Sequence, residues 1–249
     1  MKHVTVLGCR VDAIDSDGAV ARIAELVRGE KPSLVVTLGT EMVVYAQGDA
    51  RFREIVNSSA LSLCDTIGVK IAARLQGAGV RERVTGVDLL EPLCTTFAER
   101  GVSVYFLGAK GDTARRAATA LQARHPRLTV AGVRDGYFTP DQEPDVTAAV
   151  AASGARAIFV GLGSPRQEFF LAERLKETGC AVGIGVGGSF DVLAGNVQRA
   201  PLLWRRLGVE WLYRLVREPR RWRRQLALPQ FVWLALRERV SLRSTRRFS

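Results

Sequence analysis

Short apolar runs rich in β-branched residues alternate with helix-patterned stretches along most of this chain, and that alternation limits its fold more than any other feature. The runs fall at 3–8, 34–38, 61–64, 102–108, 128–132, 157–161 and 181–186, and their pattern predicts strands there. Helices are predicted between them, among others at 16–28, 86–100, 112–124 and 165–178, several opening on Ser or Asp and closing on Gly. Unbroken apolar strands are buried on both faces, so the expected architecture is α/β, with a mostly parallel, Rossmann-like sheet flanked by helices. Ligands of such a sheet sit at the carboxyl ends of its strands.

A chain of 249 residues that is 47% hydrophobic can bury a sizeable core, which excludes a disordered or collagen-like polypeptide. Cys9, Cys64, Cys94 and Cys180 are scattered without C-x-x-C spacing, and His3 and His125 lie far apart. This argues against a disulfide framework and against a Cys/His metal cage. No charged segment precedes an apolar stretch at the start of the chain, and no run is long enough to span a bilayer. The expected compartment is a reducing cytoplasm.

Charge divides the chain. Residues 1–198 carry 22 Lys and Arg against 22 Asp and Glu, whereas residues 199–249 carry 14 Arg, no Lys and only Glu210, Glu218 and Glu238. The net charge of +11 therefore belongs to the C-terminal segment, and the expected division is an α/β body at 1–198 and a basic appendage at 199–249. From 200 to 218, Leu203, Leu207, Trp211 and Leu215 recur every four positions opposite Arg206, Arg214 and Arg217, the pattern of an amphipathic helix. Pro219, a run of four arginines around Trp222, and a second Trp-containing stretch at 230–240 follow. Such a segment suits an anionic lipid surface. A helix packed on its own domain has the same stripe, and nucleic acid is the competing anionic partner. The placement of Trp204, Trp211, Trp222 and Trp233 among leucines favours lipid.

Three strand-end stretches carry candidate chemistry. At 158–168 a strand runs into Gly161 and Gly163, then Ser164 and Pro165 suit the cap and first position of a helix whose N–H groups favour phosphate. Gln167 and Glu168, one turn in, face the same crevice on this reading, although an ordinary βα turn has the same pattern. A second glycine cluster, Gly183 to Gly188, does not match the dinucleotide fingerprint, because it follows a late strand and lacks the distal acid. Asp191 behind it suits a sugar hydroxyl or the acidic first turn of a helix. The run at 61–64 delivers Asp65 to a strand end, where partial burial tunes a carboxylate for general-base work, with an N-cap role as the alternative. Arg81 and Arg83 precede a helix start and suit an anionic group. Asp15-Ser16-Asp17 reads as a cap rather than a metal motif, so no metal and no cofactor is expected. His3 and His125 read as strand-edge and surface residues.

Read together, these stretches resemble the WecG/TagA/CpsF family of bacterial glycosyltransferases. The resemblance rests on Asp65-x-Ile67-Gly68-Val69, Arg81-x-Arg83-Val84-Thr85-Gly86-x-Asp88, Asp135-Gly136-Tyr137-Phe138, Gly161-x-Gly163-Ser164-Pro165-x-Gln167-Glu168 and Gly185-Val186-Gly187-Gly188-Ser189-Phe190-Asp191. It continues through Glu210-Trp211-x-Tyr213-Arg214-Leu215. It implies an inverting, metal-independent enzyme that moves N-acetylmannosamine or a related hexose from a UDP-sugar to an undecaprenyl-diphosphate-linked sugar, in cell-surface polysaccharide or teichoic acid synthesis.

It further implies Asp65 as the base, with Thr37, Arg83 and Gln167 lining the pocket and Gly163, Ser164 and Asp191 holding the nucleotide side. Tyr137, Pro165, Glu168, Gly187 and Gly188 are further substrate-binding candidates. Arg214, Arg221 and Arg224 would meet diphosphate, on a tail that docks at the inner face of the cell membrane and helps to close the site. Whether the chain forms a homo-oligomer is left open. Two positions depart from the pattern. Gly39 stands where the family usually has Asn, and Thr66 follows Asp65 where it usually has Gly, so both bear on donor or acceptor choice.

Overall fold

The computed structural model describes residues 1–77, 79–201, 204, 210–217, 222 and 226–245. Among them, β3 (Ser33–Leu38), β4 (Leu61–Cys64), β5 (Val104–Gly108), β6 (Val130–Arg134), β7 (Ala157–Gly161) and β8 (Val182–Gly185) form a parallel sheet in the order β4-β3-β8-β7-β5-β6. Helices α1 (Ser16–Leu26), α2 (Thr40–Gly48), α3 (Ala50–Ser58), α4 (Ile67–Leu75), α5 (Gly86–Arg100), α6 (Thr113–Arg124), α7 (Glu143–Ala152), α8 (Arg166–Arg174) and α9 (Ser189–Leu193) link and cover its strands. The α/β, Rossmann-like expectation holds.

Strand residues alternate between two apolar layers because successive side chains leave a strand on opposite faces. Leu61, Leu63, Phe106 and Phe159 join side chains of α1, α5 and α6 on one face. On the other, Val36 and Leu38 pack with α2, α3 and α4, while Leu107, Ile158 and Val160 pack with α7 and α8. Phe159 is fully buried, with its ring centroid 5.4 Å from that of Phe106 in an edge contact. Truncating it to Ala would cost about 3–5 kcal/mol. Local signals agree with this packing: Asp15 caps α1 by accepting from the Gly18 N–H, Thr85 caps α5, and Gly101 ends α5 at φ 64°.

The stretch at 3–8, expected as the first strand of the parallel series, is not part of it. It ends at Val6, and β1 (His3–Val6) pairs antiparallel with β2 (Cys9–Asp12) in a hairpin of its own. Leu7 and Gly8 both take positive φ, 49° and 80°, which a tight two-residue hairpin turn requires. Asp12 is fully buried at the end of the hairpin, where its carboxylate accepts from Arg10 Nε at 2.9 Å and from the Ser62 N–H at 2.8 Å. The hairpin is thereby fixed to β4 through a paired charge, the condition under which a buried carboxylate is tolerated.

Other limits move slightly. β6 lies two residues beyond the expected 128–132 because its extent is set by pairing with β5. α8 begins after Pro165 and stops at Arg174, short of the expected 178. In the C-terminal segment, α10 (Glu210–Arg217) covers the described part of the first expected helix, while Leu203 and Leu207 of its stripe lie outside the described residues. α11 (Ala227–Thr245) is longer than the expected 230–240 and lies against α2 and α4. Its Phe231 is 3% exposed and packs with Val43, Val69 and Ala72, and Gln76 Nε2 donates to Glu238 Oε2 at 2.9 Å. No helix among the described residues is long and apolar enough to cross a membrane.

Candidate active site

The carboxyl ends of β3, β4, β7 and β8 open into one cleft with a cavity volume of about 240 Å³. Each strand is followed there by a helix: β3 by α2 through Gly39, β4 by α4 through Asp65 and Thr66, β7 by α8 through Gly163 to Pro165, and β8 by α9 through Gly187 and Gly188. The N-cap residues of these four helices, Gly39, Thr66, Pro165 and Gly188, make no side-chain capping bond to their own helices. Helix starts of this kind present N–H groups and the positive end of the helix dipole, and both favour an anion. Gly163 and Gly187 stand at φ 77° and 53°, backbone that lets the two loops turn tightly at the mouth of the cleft.

The structure brings together Thr37, Asp65, Arg83, Gly163, Ser164, Gln167, Gly187 and Gly188 around this cleft. Thr37 is 7% exposed, and its hydroxyl donates to the Gly185 carbonyl at 2.9 Å, tying β3 to β8. Gln167 is 2% exposed and holds two partners, with Oε1 accepting from the Gly187 N–H at 3.0 Å and Nε2 donating to Glu168 Oε1 at 2.7 Å. A backbone N–H must meet an acceptor, so this pairing fixes which way the amide faces. Gly185 permits it, because a Cβ there would stand 2.7 Å from Gln167 Nε2.

Asp65 directly follows β4 and is not the N-cap of α4, a position held by Thr66. Cations gather on its side of the cleft. Arg83 Nη2 lies 3.8 Å from Glu210 Oε2 of α10, with both side chains largely shielded from solvent. Burial holds the Lys70 ammonium below the ordinary lysine range, and repulsion from Arg74 and Arg83 adds to it. The Cys64 thiol is pushed up to about 12 by burial first and then by the charge of Asp65, against the pull of Lys70 and Arg83.

Four expected residues do not line the cleft. Tyr137 is 73% exposed in the loop after β6, the outer strand of the sheet, with Lys110 Nζ 5.9 Å from its ring centroid. Asp191 lies in α9 and accepts from Asn196 Nδ2 at 3.3 Å. Pro165 is the N-cap of α8, and Glu168 is fully buried behind Gln167. Burial raises the Glu168 carboxyl above its usual range, with the Gln167 hydrogen bond opposing it. Arg214 lies on α10, while Arg221 and Arg224 lie outside the described residues.

Glu41, Glu210, Trp211 and Leu228 also line the cleft; none was among the expected site residues, although Glu210 and Trp211 stand in a motif that carries the resemblance. The last three come from the C-terminal segment, which folds back to form one wall. Among the described residues no group of three or more His, Cys, Asp or Glu is arranged to hold a metal ion. A carboxylate, a guanidinium and four helix starts around one cleft can deprotonate a hydroxyl and receive an anion in the same space.

The model of the Glycosyl transferase WecG/TagA/CpsF family matches residues 4–245. The chain is 36% identical over 212 residues to the N-acetylglucosaminyldiphosphoundecaprenol N-acetyl-beta-D-mannosaminyltransferase of Bacillus spizizenii, an alignment covering 85% of this chain and 82% of that relative. On the extent of these matches, this chain is a glycosyltransferase and belongs to the WecG/TagA/CpsF family.

Proposed function

We propose that the enzyme transfers N-acetylmannosamine or a related hexose from a UDP-sugar to an undecaprenyl-diphosphate-linked sugar, with inversion and without a metal ion. The product would serve cell-surface polysaccharide or teichoic acid assembly. The observation that carries this reading is the convergence of Asp65, Arg83 and four helix starts on one cleft at the strand tips. The relative in Bacillus spizizenii is named for the same kind of acceptor and sugar.

In this mechanism Asp65 takes the proton of the acceptor hydroxyl as its oxygen attacks the anomeric carbon from the face opposite the diphosphate. The bond from that carbon to the diphosphate oxygen breaks, and the electron pair leaves with UDP. Arg83 and the N–H groups of the helix starts stabilise the charge that develops there. Gln167 holds the Gly187 loop in place for the nucleotide.

A polyprenyl acceptor stays in the bilayer, so the catalyst must reach an anionic surface, where each Lys or Arg contributes about 1 kcal/mol. Arg214, Arg221 and Arg224 serve this contact and the acceptor diphosphate. The exposed Val232, Trp233 and Leu236 of α11 supply apolar contact. The enzyme is thus a peripheral protein of the inner membrane face.

The test is incubation of the protein with a panel of UDP-sugars and lipid-diphosphate acceptors, reading UDP release and product mass. Acceptor-dependent UDP release with one hexosamine donor is expected. No release from any donor, or preferential binding of nucleic acid over anionic vesicles at moderate salt, would contradict the reading.

A further inference from the structure

Arg83 reaches the cleft from a stretch without regular structure. Residues 79–85 join α4 to α5 and form neither helix nor strand, so no ladder of backbone hydrogen bonds sets the position of this side chain. Its neighbours are tied down one by one instead. The Val84 N–H donates to the carbonyl of Cys64, the residue before Asp65, at 2.8 Å, and the Val84 side chain is fully buried. The Glu82 carboxylate accepts from the Ser16 N–H at the start of α1. Val80 is buried in the layer that holds Val69, Ala72 and Ala73 of α4.

The remaining tie comes from a side chain of α4. Arg74 donates from Nε to the Val80 carbonyl and from Nη2 to the Arg81 carbonyl, each at 3.0 Å. A guanidinium offers these N–H groups in a rigid planar fork, so the two carbonyls are fixed relative to each other as well as to the helix. The same helix lines the cleft with Ile67 and Gly68 at its start, directly after Asp65 and Thr66. The fork therefore refers the Arg83 loop to the element that follows Asp65. Arg74 itself is exposed and does not line the cleft.

We propose that Arg74 is a positioning residue of the transfer reaction, whose fork on the Val80 and Arg81 carbonyls holds Arg83 at the side of the cleft where the diphosphate departs. This rests on the role given to Arg83 above and adds a residue that touches neither substrate. The requirement is for the geometry of the fork. A positive charge alone, which Arg74 also places near Lys70, does not meet it.

The experiment compares Arg74→Ala, Arg74→Lys, Arg83→Ala and the double variant Arg74→Ala with Arg83→Ala against the unaltered full chain. It reads kcat and KM with a UDP-sugar and a lipid-diphosphate acceptor, and amide hydrogen exchange across 79–85. Arg74→Ala is expected to lower kcat about 10–100-fold and to change the donor KM by less than about threefold, the pattern of a displaced transition-state group. Arg74→Lys keeps the charge and reaches one carbonyl at most, so it is expected to lower kcat about tenfold. Added to Arg83→Ala, the Arg74→Ala change is expected to cost less than about twofold more, because the two residues act as a unit. Should Arg74→Ala melt below the assay temperature, Arg74→Lys takes its place alone and with Arg83→Ala.

A lysine variant as fast as the unaltered protein would assign the effect to charge, and a double variant that lost the product of the single losses would separate Arg74 from Arg83. Either result overturns the proposal and leaves the transferase reading intact. If the unaltered protein turned over no UDP-sugar, the transferase reading would fail instead, and with it the catalytic purpose given to the fork. The fork as a clamp is read independently by exchange, which Arg74→Lys is expected to speed about tenfold across 79–85 with the strands unaffected. Unchanged exchange there overturns the proposal whatever the turnover.

Discussion

Gln167 and Glu168 are sequence neighbours joined by a side-chain hydrogen bond of 2.7 Å, in which a fully buried carboxylate orients the amide that holds the Gly187 loop. The second oxygen of Glu168 has no hydrogen-bond partner among the described residues. Burial without a compensating cation disfavours the charged form, which is why this carboxyl is raised.

Its pH consequence has a definite sign. The folded chain holds the Glu168 proton at pH values where the unfolded chain has released it, so stability falls as pH rises from the ordinary carboxylate value through the raised one. Glu168→Gln keeps an acceptor for Gln167 and removes the ionisation. Melts across mildly acidic to neutral pH are expected to give a flatter dependence in the variant and a higher Tm at neutral pH. An unchanged slope would contradict the assignment.

Arg83 joins the anion side of the cleft to α10 through Glu210. Replacing Arg83 by Ala is expected to lower kcat/KM about 10²–10³-fold, the scale of losing one preorganised charge at a leaving group. Glu210→Gln removes a long pair of 3.8 Å and leaves the Arg83 cation at the leaving group, and is expected to cost less than about tenfold. Steady-state kinetics of both variants test the order, and a larger loss at Glu210 than at Arg83 would reverse the roles given to them.

Phe231 anchors α11 in the groove beside Gly68, where its ring would lie 3.4 Å from a Cβ on that glycine. Phe231→Ala should remove about 3–5 kcal/mol of packing and release the C-terminal segment from the body. Limited proteolysis is expected to cut the variant within 199–249 while the α/β body stays intact. Equal resistance in both proteins would mean that the segment is held by other contacts.

Arg221 and Arg224 lie in the arginine run between the two C-terminal helices. Changing both to Glu is expected to reduce pelleting with anionic vesicles by at least about tenfold at low salt, since each reversal removes one attraction and adds one repulsion. Turnover should fall on a lipid acceptor and persist on a short, water-soluble one. Equal pelleting would remove these residues from the membrane contact.

Much of the sheet was legible because β3, β4, β5, β7 and β8 are buried on both faces and therefore read as continuous apolar runs. The hairpin was not, since Leu7-Gly8 lacks the Asn-Gly signature of such turns and β2 carries a buried aspartate in place of an apolar residue. Asp65, Gln167 and the glycine loops were legible as residues at strand ends. The cleft position of Glu210 and Trp211 was not, because it depends on a distant segment folding back, which no local periodicity encodes. Tyr137 itself is exposed, although the carbonyls of its neighbours Gly136 and Phe138 accept from Arg166 at the start of α8, next to the loop that lines the cleft. Gly39 and Thr66 read as two separate departures until the pairing of β3 with β4 put them side by side.

The central claim is that Asp65 removes the acceptor proton in a cleft that binds the donor independently of that step. The most direct measurement is Asp65→Asn assayed twice, for turnover with the lipid-linked acceptor and for UDP-sugar binding by calorimetry. The account predicts a fall in kcat of about 10²–10⁴-fold with the donor Kd changed by less than about threefold. Turnover at the unaltered rate would contradict it.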